Sequence, residues 1–269
     1  MKKILLVGCG HMGSALLSAW HRKTSYNISV VDPKTHIILK NKYNKKISIY
    51  KSTEEINNIK KFDIIIFAVK PQVAKKALSQ FYSLNDKKIL LLSIIAGKKI
   101  SFFEKNLLHS HQIIRAMPNM PAFVENGITC LLSNTLTSKK NIIVASKLFK
   151  CVGKVIWLNR ESDIDRVTAI SGSGPAYFFL FIEHLISEAI KLGLKKNIAK
   201  ELVYQTAFGS IDLLLQGKKS AEEQKKRIAV KGGTTEAAIN VFEKKAQLKK
   251  IIGQAITAAF NRTKELEKK

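Results

Sequence analysis

Six short apolar runs in the first 117 residues, separated by segments long enough for a helix, constrain this chain more than any other feature. They are "KKILLVG" (2–8), "NISVVD" (27–32), "KISIYK" (46–51), "FDIIIFAV" (62–69), "KKILLLSII" (87–95) and "HQIIRAM" (111–117). Each is continuous rather than alternating and rich in branched residues, the pattern of a strand covered on both faces. Segments such as "HMGSALLSAWHRK" and "PQVAKKALSQFY" between them read as helices. Strands alternating with helices predict a parallel, doubly wound sheet. "GITCLLS" (127–133), the helical "SKKNIIVASKLFKCV" and "GKVIWL" (153–158) extend it.

Beyond Trp157 the pattern changes. Residues 163–193, 197–216, 234–245 and 247–267 read as helices, with turn signals at Gly193, Gly217 and Gly232-Gly233, and no strand candidate follows. The expected organisation is an α/β domain over 1–160 and an all-helical domain over 161–269, ending in a "KELEKK" tail expected to fray. A chain of 269 residues, 46% of them hydrophobic, is long enough to bury one large core or two moderate ones.

The first strand runs straight into "GCGHMG" (Gly8, Cys9, Gly10, His11, Met12, Gly13), which opens a helix. In that context the three glycines point to a dinucleotide. The first permits a tight turn, the second lets backbone approach a pyrophosphate, and the third lets helix and strand pack closely. The helix N-terminus adds amide donors and partial positive charge. Asp32 ends the second strand about 20 residues after the third glycine, where a carboxylate can hold ribose hydroxyls. Asp32 argues for NAD and Lys34 for a 2′-phosphate, so both NADH and NADPH stay open. The first domain is therefore expected to be Rossmann-like.

Other candidates sit where strands leave the sheet, the edge at which such folds bind ligands. "AVKPQ" supplies Ala68, Val69, Lys70 and Pro71, with Lys70 either a proton donor or simply solvated. "SIIAG" supplies Ala96 and Gly97, and "RAMPNMP" supplies Met117 and Asn119. Asn119 either lines a pocket or closes a turn between two prolines.

Composition removes several function classes. The three cysteines show no paired spacing, which points to a reducing cytosol. No run approaches the roughly 18 apolar residues of a membrane span, and no membrane partner is expected. The net charge is +26, yet the lysines are spread along the chain without interleaved aromatics, so a solvated basic surface is preferred over a nucleic-acid site. His109 and His111 lack further ligands at metal-binding spacing and are expected on a solvated loop, with no metal. His184 is expected as a satisfied core histidine.

Two further motifs are more specific. "SGSGPAY" (Ser171–Tyr177) puts two glycines and a proline into a helical stretch, although each disfavours helix by about 1 and 3 kcal/mol respectively. The helix that follows, "AYFFLFIEHLISEAI", is apolar on nearly every side at first, which suggests insertion into a second subunit. "GGTTEAA" (Gly232–Ala238) places two glycines and two threonines ahead of a helix.

With "GCGHMG", "AVKPQ" and "RAMPNMP", these motifs stand in the order and spacing of pyrroline-5-carboxylate reductases, and the chain resembles that family over essentially its whole length. The resemblance implies reduction of the cyclic imine Δ1-pyrroline-5-carboxylate to L-proline with NADPH or NADH. It also implies a homodimer interlocked through the C-terminal helices, with dimers often assembling into decamers. Under it, amides of Gly233, Thr234 and Thr235 hold the substrate carboxylate. The Thr235 hydroxyl becomes the best candidate to bond the ring nitrogen, in a catalytic role, and the alternative for both threonines is helix capping. Ser173 and its small neighbours would let cofactor and substrate approach backbone. Where relatives usually carry Ser-Pro before the double glycine, this chain has Val230-Lys231.

Two other readings remain. A 3-hydroxyacid reductase of the same two-domain plan would use a lysine in the long helix, and none occurs between Asp163 and Glu188. A non-enzymatic nucleotide-binding regulator would have no need of the "GGTT" anion cradle.

Overall fold

The computed structural model describes residues 1–43, 46–86 and 88–268. Its strands are β1 (Lys3–Val7), β2 (Asn27–Val31), β3 (Ser48–Tyr50), β4 (Ile64–Phe67), β5 (Leu90–Ser93), β6 (Gln112–Met117), β7 (Gly127–Ser133) and β8 (Gly153–Trp157). They form one sheet in the order β3-β2-β1-β4-β5-β6-β7-β8. Every strand expected from the apolar runs is present, although Lys87, the first residue of the fifth run, lies outside the described residues.

The pairing is parallel throughout except between β6 and β7. The expected all-parallel sheet fails there because residues 118–126 are too few for a crossover. They hold only a 3₁₀ turn (Met120–Val124), whereas a parallel return needs a dozen or more residues.

Side-chain alternation along the strands builds two cores. Ile4, Leu6, Ile64, Ile66, Leu90 and Leu92 face one side, packed by α1 (His11–Lys23), α2 (His36–Tyr43) and α5 (Lys139–Lys150). Leu5, Val7, Ile65, Phe67 and Leu91 face the other, packed by α3 (Ala74–Ser79), α4 (Ile100–Asn106) and Ile164 of α6 (Ser162–Val167). Reversal of strand order between β1 and β4 leaves a crevice at their C-terminal ends.

The chain divides into two compact units, Met1–Ser173 together with Ala259–Lys269, and Gly174–Ala258. The second holds α7 (Gly174–Lys191), α8 (Lys196–Gln216), α9 (Ala221–Ile228), α10 (Thr234–Glu243) and the start of α11 (Gln247–Lys268). Helix α9 was not expected. Its signal is the capping box in "SAEE", where Ser220 and Glu223 exchange side-chain and backbone bonds. The tail expected to fray is helical to Lys268, and Lys269 lies outside the described residues. Among the described residues no helix is long and apolar enough to cross a membrane.

Candidate active site

The turn after β1 assigns each glycine a separate task. Gly8 has φ +90°, and a Cβ there would lie 2.7 Å from Val69 and 2.8 Å from the Ala68 carbonyl. A Cβ on Gly13 would meet the Gly8 carbonyl at 2.8 Å, so helix and turn are in contact. Gly10, the N-cap of α1, has nothing within 4 Å of its would-be Cβ. Open space at the helix N-terminus, between two glycines locked by packing, fits a dinucleotide pyrophosphate.

Asp32 is buried, and both its oxygens are engaged. Oδ2 accepts the Cys9 amide at 2.7 Å, and Oδ1 accepts the amides of Lys34 and Thr35, each at 2.8 Å. Burial works to raise its pKa, but the amides of Cys9, Thr35 and Lys34 outweigh it and hold the carboxyl below the usual range. The carboxylate expected to hold ribose hydroxyls thus also knits the glycine turn to the loop after β2, and it leaves the Lys34 side chain exposed. Burial, with the Asp32 charge beside it, pushes the Cys9 thiol up to about 12. Cys9 contributes its amide, not a reactive sulfur.

At the exits of β4 and β5, Ala68 is half-buried and Lys70 is exposed ahead of the 3₁₀ turn Pro71–Val73. Ala96 and Gly97 follow β5, and Gly97 takes φ +71°. A Cβ there would sit 3.3 Å from Leu266, so the end of α11 packs on this turn.

At the exit of β6 the chain meets a π-helical turn, Thr168–Gly172, in which the Ser173 amide donates to the Thr168 carbonyl at 2.9 Å. Met117 lies against it, since a Cβ on Gly172 would approach the Met117 methyl to 2.8 Å. Asn119 is buried and bridges two elements. Its Nδ2 donates to the Ser171 carbonyl at 3.1 Å, while Oδ1 accepts the Ile128 amide at 2.9 Å. Met117, Asn119 and Ser173 are therefore neighbours in one unit.

Gly233, Thr234 and Thr235 lie in the other unit, at the start of α10. The capping position is Gly233, so the threonines occupy the first turn and neither is the N-cap. The Gly233 amide, expected to face an anion, instead donates to the Val230 carbonyl at 3.0 Å, because Gly232 at φ +76° folds the chain back. Glu236 closes the turn by accepting the Gly232 amide at 2.8 Å. Among the described residues the amides of Thr234 and Thr235 have no backbone partner. They remain the donors an anion would meet.

Residues 161–266 match the pyrroline-5-carboxylate reductase dimerisation family, and residues 3–97 match the coenzyme F420-dependent NADP oxidoreductase family. A pyrroline-5-carboxylate reductase of Escherichia coli is 33% identical over 270 residues, covering 99% of both chains. One from Pseudomonas aeruginosa is 32% identical over 266 residues, 98% of this chain and 96% of the relative. The chain belongs to the pyrroline-5-carboxylate reductase family. Among solved structures, the reductase of Coxiella burnetii superposes with a TM-score of 0.87 at 32% identity, over 99% of this chain and 98% of that one. The Plasmodium falciparum reductase with NADP bound matches equally, with a TM-score of 0.87, 30% identity and the same coverage. Family membership accounts for the fold, a Rossmann-like sheet followed by a helical dimerisation domain.

Several groups around the site escaped the sequence reading. Arg115 on β6 is buried and pairs with Glu161 at 3.1 Å, and the same Glu161 oxygen accepts the Ile100 amide at 2.8 Å. Nothing in spacing announces a pair 46 residues apart. His111, expected to be solvated, is buried with Nε2 on the Leu84 carbonyl at 2.9 Å. His184, expected in a core, is exposed on α7.

Proposed function

We propose that this chain catalyses the NAD(P)H-dependent reduction of Δ1-pyrroline-5-carboxylate to L-proline, with NADPH supported by the NADP-bound structure of a relative. The observation that carries the reading is the glycine turn of β1, where open space at Gly10 lies between two glycines that tolerate no side chain. Full-length likeness to reductases named for this substrate supplies the chemistry. The coenzyme, when bound, supplies a hydride for the imine carbon.

The chain's own residues bind and orient. Gly10, His11, Met12 and Gly13 offer backbone to the pyrophosphate, on a turn that Gly8 and Cys9 hold in shape through their amide bonds to Val31 and Asp32, and Asp32 with Lys34 addresses the adenosine ribose. Ala68 to Pro71, Ala96 and Gly97 border the coenzyme where β4 and β5 leave the sheet. The amides of Thr234 and Thr235 take the substrate carboxylate, and the Thr235 hydroxyl bonds the ring nitrogen, the atom that must carry the proton for the imine carbon to be electrophilic. Met117 and Ser173 are substrate-binding candidates within the first unit.

Residues 1–160 form the coenzyme half and 161–269 the dimerisation and substrate half. Phe178, Phe179, Phe208, Leu215 and Val241 stand more than half exposed on the helices of a single chain. A second copy covering them makes a homodimer, which further association builds into a decamer. The working compartment is a reducing cytoplasm.

The test is coenzyme oxidation followed by nicotinamide absorbance with pyrroline-5-carboxylate, with NADPH and NADH in parallel and proline identified as product. Steady turnover is expected. Coenzyme consumption that yields no proline would overturn the reading.

A further inference from the structure

The helix running through "SGSGPAY" has a missing donor. In an unbroken α-helix the Ser171 carbonyl would receive the amide of residue 175, but that residue is Pro175 and carries no N–H. The π-helical turn Thr168–Gly172 does not supply one, since its closing bond runs from the Ser173 amide to the Thr168 carbonyl. The donor comes from Asn119, whose Nδ2 reaches Ser171 at 3.1 Å.

The orientation of that carboxamide is fixed by its partners. The Ile128 amide can only donate, so it takes Oδ1, and the Ser171 carbonyl can only accept, so it takes Nδ2. Met117, two residues earlier, meets the same turn at Gly172, leaving no room for a Cβ. The exit of β6 therefore grips the π-turn at two consecutive residues. Turns of this kind recur at functional sites because they re-aim backbone groups.

We infer that Asn119 is a positioning residue for imine reduction: its carboxamide ties Ser171 to the first residues of β7 and thereby sets where Gly172 and Ser173 stand at the sheet's C-terminal edge. This rests on the reading above, that those residues border the reacting rings. Asn119 does not bond substrate itself. It acts through the backbone it holds.

Asn119→Asp is the selective probe. It keeps an oxygen for the Ile128 amide and replaces the Nδ2 donor by a carboxylate oxygen facing the Ser171 carbonyl. Displacement of the reacting geometry by an ångström is expected to lower kcat about 10²-fold. KM for NADPH should stay within about twofold, the signature of an interaction realised in the reacting complex. A second variant separates positioning from simple satisfaction of a carbonyl. In Asn119→Asp/Pro175→Ala residue 175 regains the amide that α-helical geometry would offer Ser171, so Tm is expected to rise above that of Asn119→Asp while kcat stays low.

Turnover that returns together with Tm would overturn the inference, as would a kcat in Asn119→Asp equal to that of the parent chain. Should Asn119→Asp not fold, Asn119→Gln carries the same test, since it keeps the oxygen and the NH2 but moves the carboxamide by one methylene from its two partners. A kcat loss at unchanged NADPH KM supports the inference, and unaltered kcat refutes it. A parent chain that makes no proline fails earlier, at the function itself, and takes this inference with it.

Discussion

The Asp32 carboxylate accepts the Cys9 amide at 2.7 Å, joining the loop after β2 to the glycine turn after β1. Two more amides, from Lys34 and Thr35, complete its shell. Asp32→Asn puts an NH2 against at least one of these donors, and loss of a hydrogen bond to a charged group costs about 1.5–3 kcal/mol. Urea unfolding should show that loss at neutral pH. The sign with pH follows from the depressed carboxyl. The ionised form stabilises the fold fully above the unfolded pKa of about 3.9, and that stability drains as pH falls through the lower folded value. The variant should therefore have the flatter acid limb.

The same geometry bears on coenzyme choice. With both Asp32 oxygens facing amides, its charge is partly neutralised, and Lys34 stands exposed two residues on. Lys34→Ala is expected to raise KM for NADPH about tenfold, the equivalent of one charge-assisted hydrogen bond, with NADH little affected. Parallel Michaelis curves with both coenzymes check this. Equal changes for the two would place the 2′-phosphate elsewhere.

The three glycines should separate stability from binding. Gly8→Ala places a methyl 2.7 Å from Val69 at φ +90°, a left-handed backbone that alone costs a side chain about 1–2 kcal/mol. Gly13→Ala drives a methyl to 2.8 Å from the Gly8 carbonyl. Both should lower Tm. Gly10→Ala meets no atom within 4 Å, so Tm should hold while NADPH affinity collapses, because the methyl fills the space the pyrophosphate needs. Titration calorimetry alongside thermal melts distinguishes the classes.

How far the site could be read from sequence follows from the range of each interaction. The glycine turn, Asp32 and the strand exits are local, and continuous apolar runs such as "FDIIIFAV" left no ambiguity about buried strands. The antiparallel turn into β7 was hidden because run composition carries no direction. Asn119 offered two readings because its partners, Ile128 and Ser171, are brought to it only by the finished fold. Helix α9 was legible through Ser220 and Glu223 but was obscured by seven charged residues among the eleven of "KKSAEEQKKRI" that promised solvent. His184 looked like core because the helix around it is apolar, and a single chain leaves that helix exposed.

His111 gives the fold a second pH dependence. Burial lowers its pKa, with Nε2 on the Leu84 carbonyl, and its buried Nδ1 has no hydrogen-bond partner among the described residues. The neutral ring is the stable form. Its contribution is complete above the unfolded pKa of about 6.5 and is lost as pH falls through the lower folded value. His111→Gln keeps an NH donor for Leu84 and removes the titration. Its Tm should decline less than the parent's between neutral and mildly acidic pH, and parallel decline would exonerate His111.

Arg115 and Glu161 provide the sharpest test of how the first unit is held together. The Arg115 side chain is 3% exposed, so its charge has almost no water to fall back on. Glu161 answers it at 3.1 Å and also receives the Ile100 amide, linking β6 to the start of α4 and the approach to α6. Removing one member of a buried pair costs about 3–5 kcal/mol, because the survivor is left uncompensated. Glu161→Gln should lose most of that in urea unfolding, even though it retains an oxygen for Ile100. Arg115→Met leaves Glu161, whose side chain is 25% exposed, free to hydrate, and so should be the milder change. An equal loss in both would mean that the lost pairing, rather than the charge stranded on buried Arg115, sets the cost.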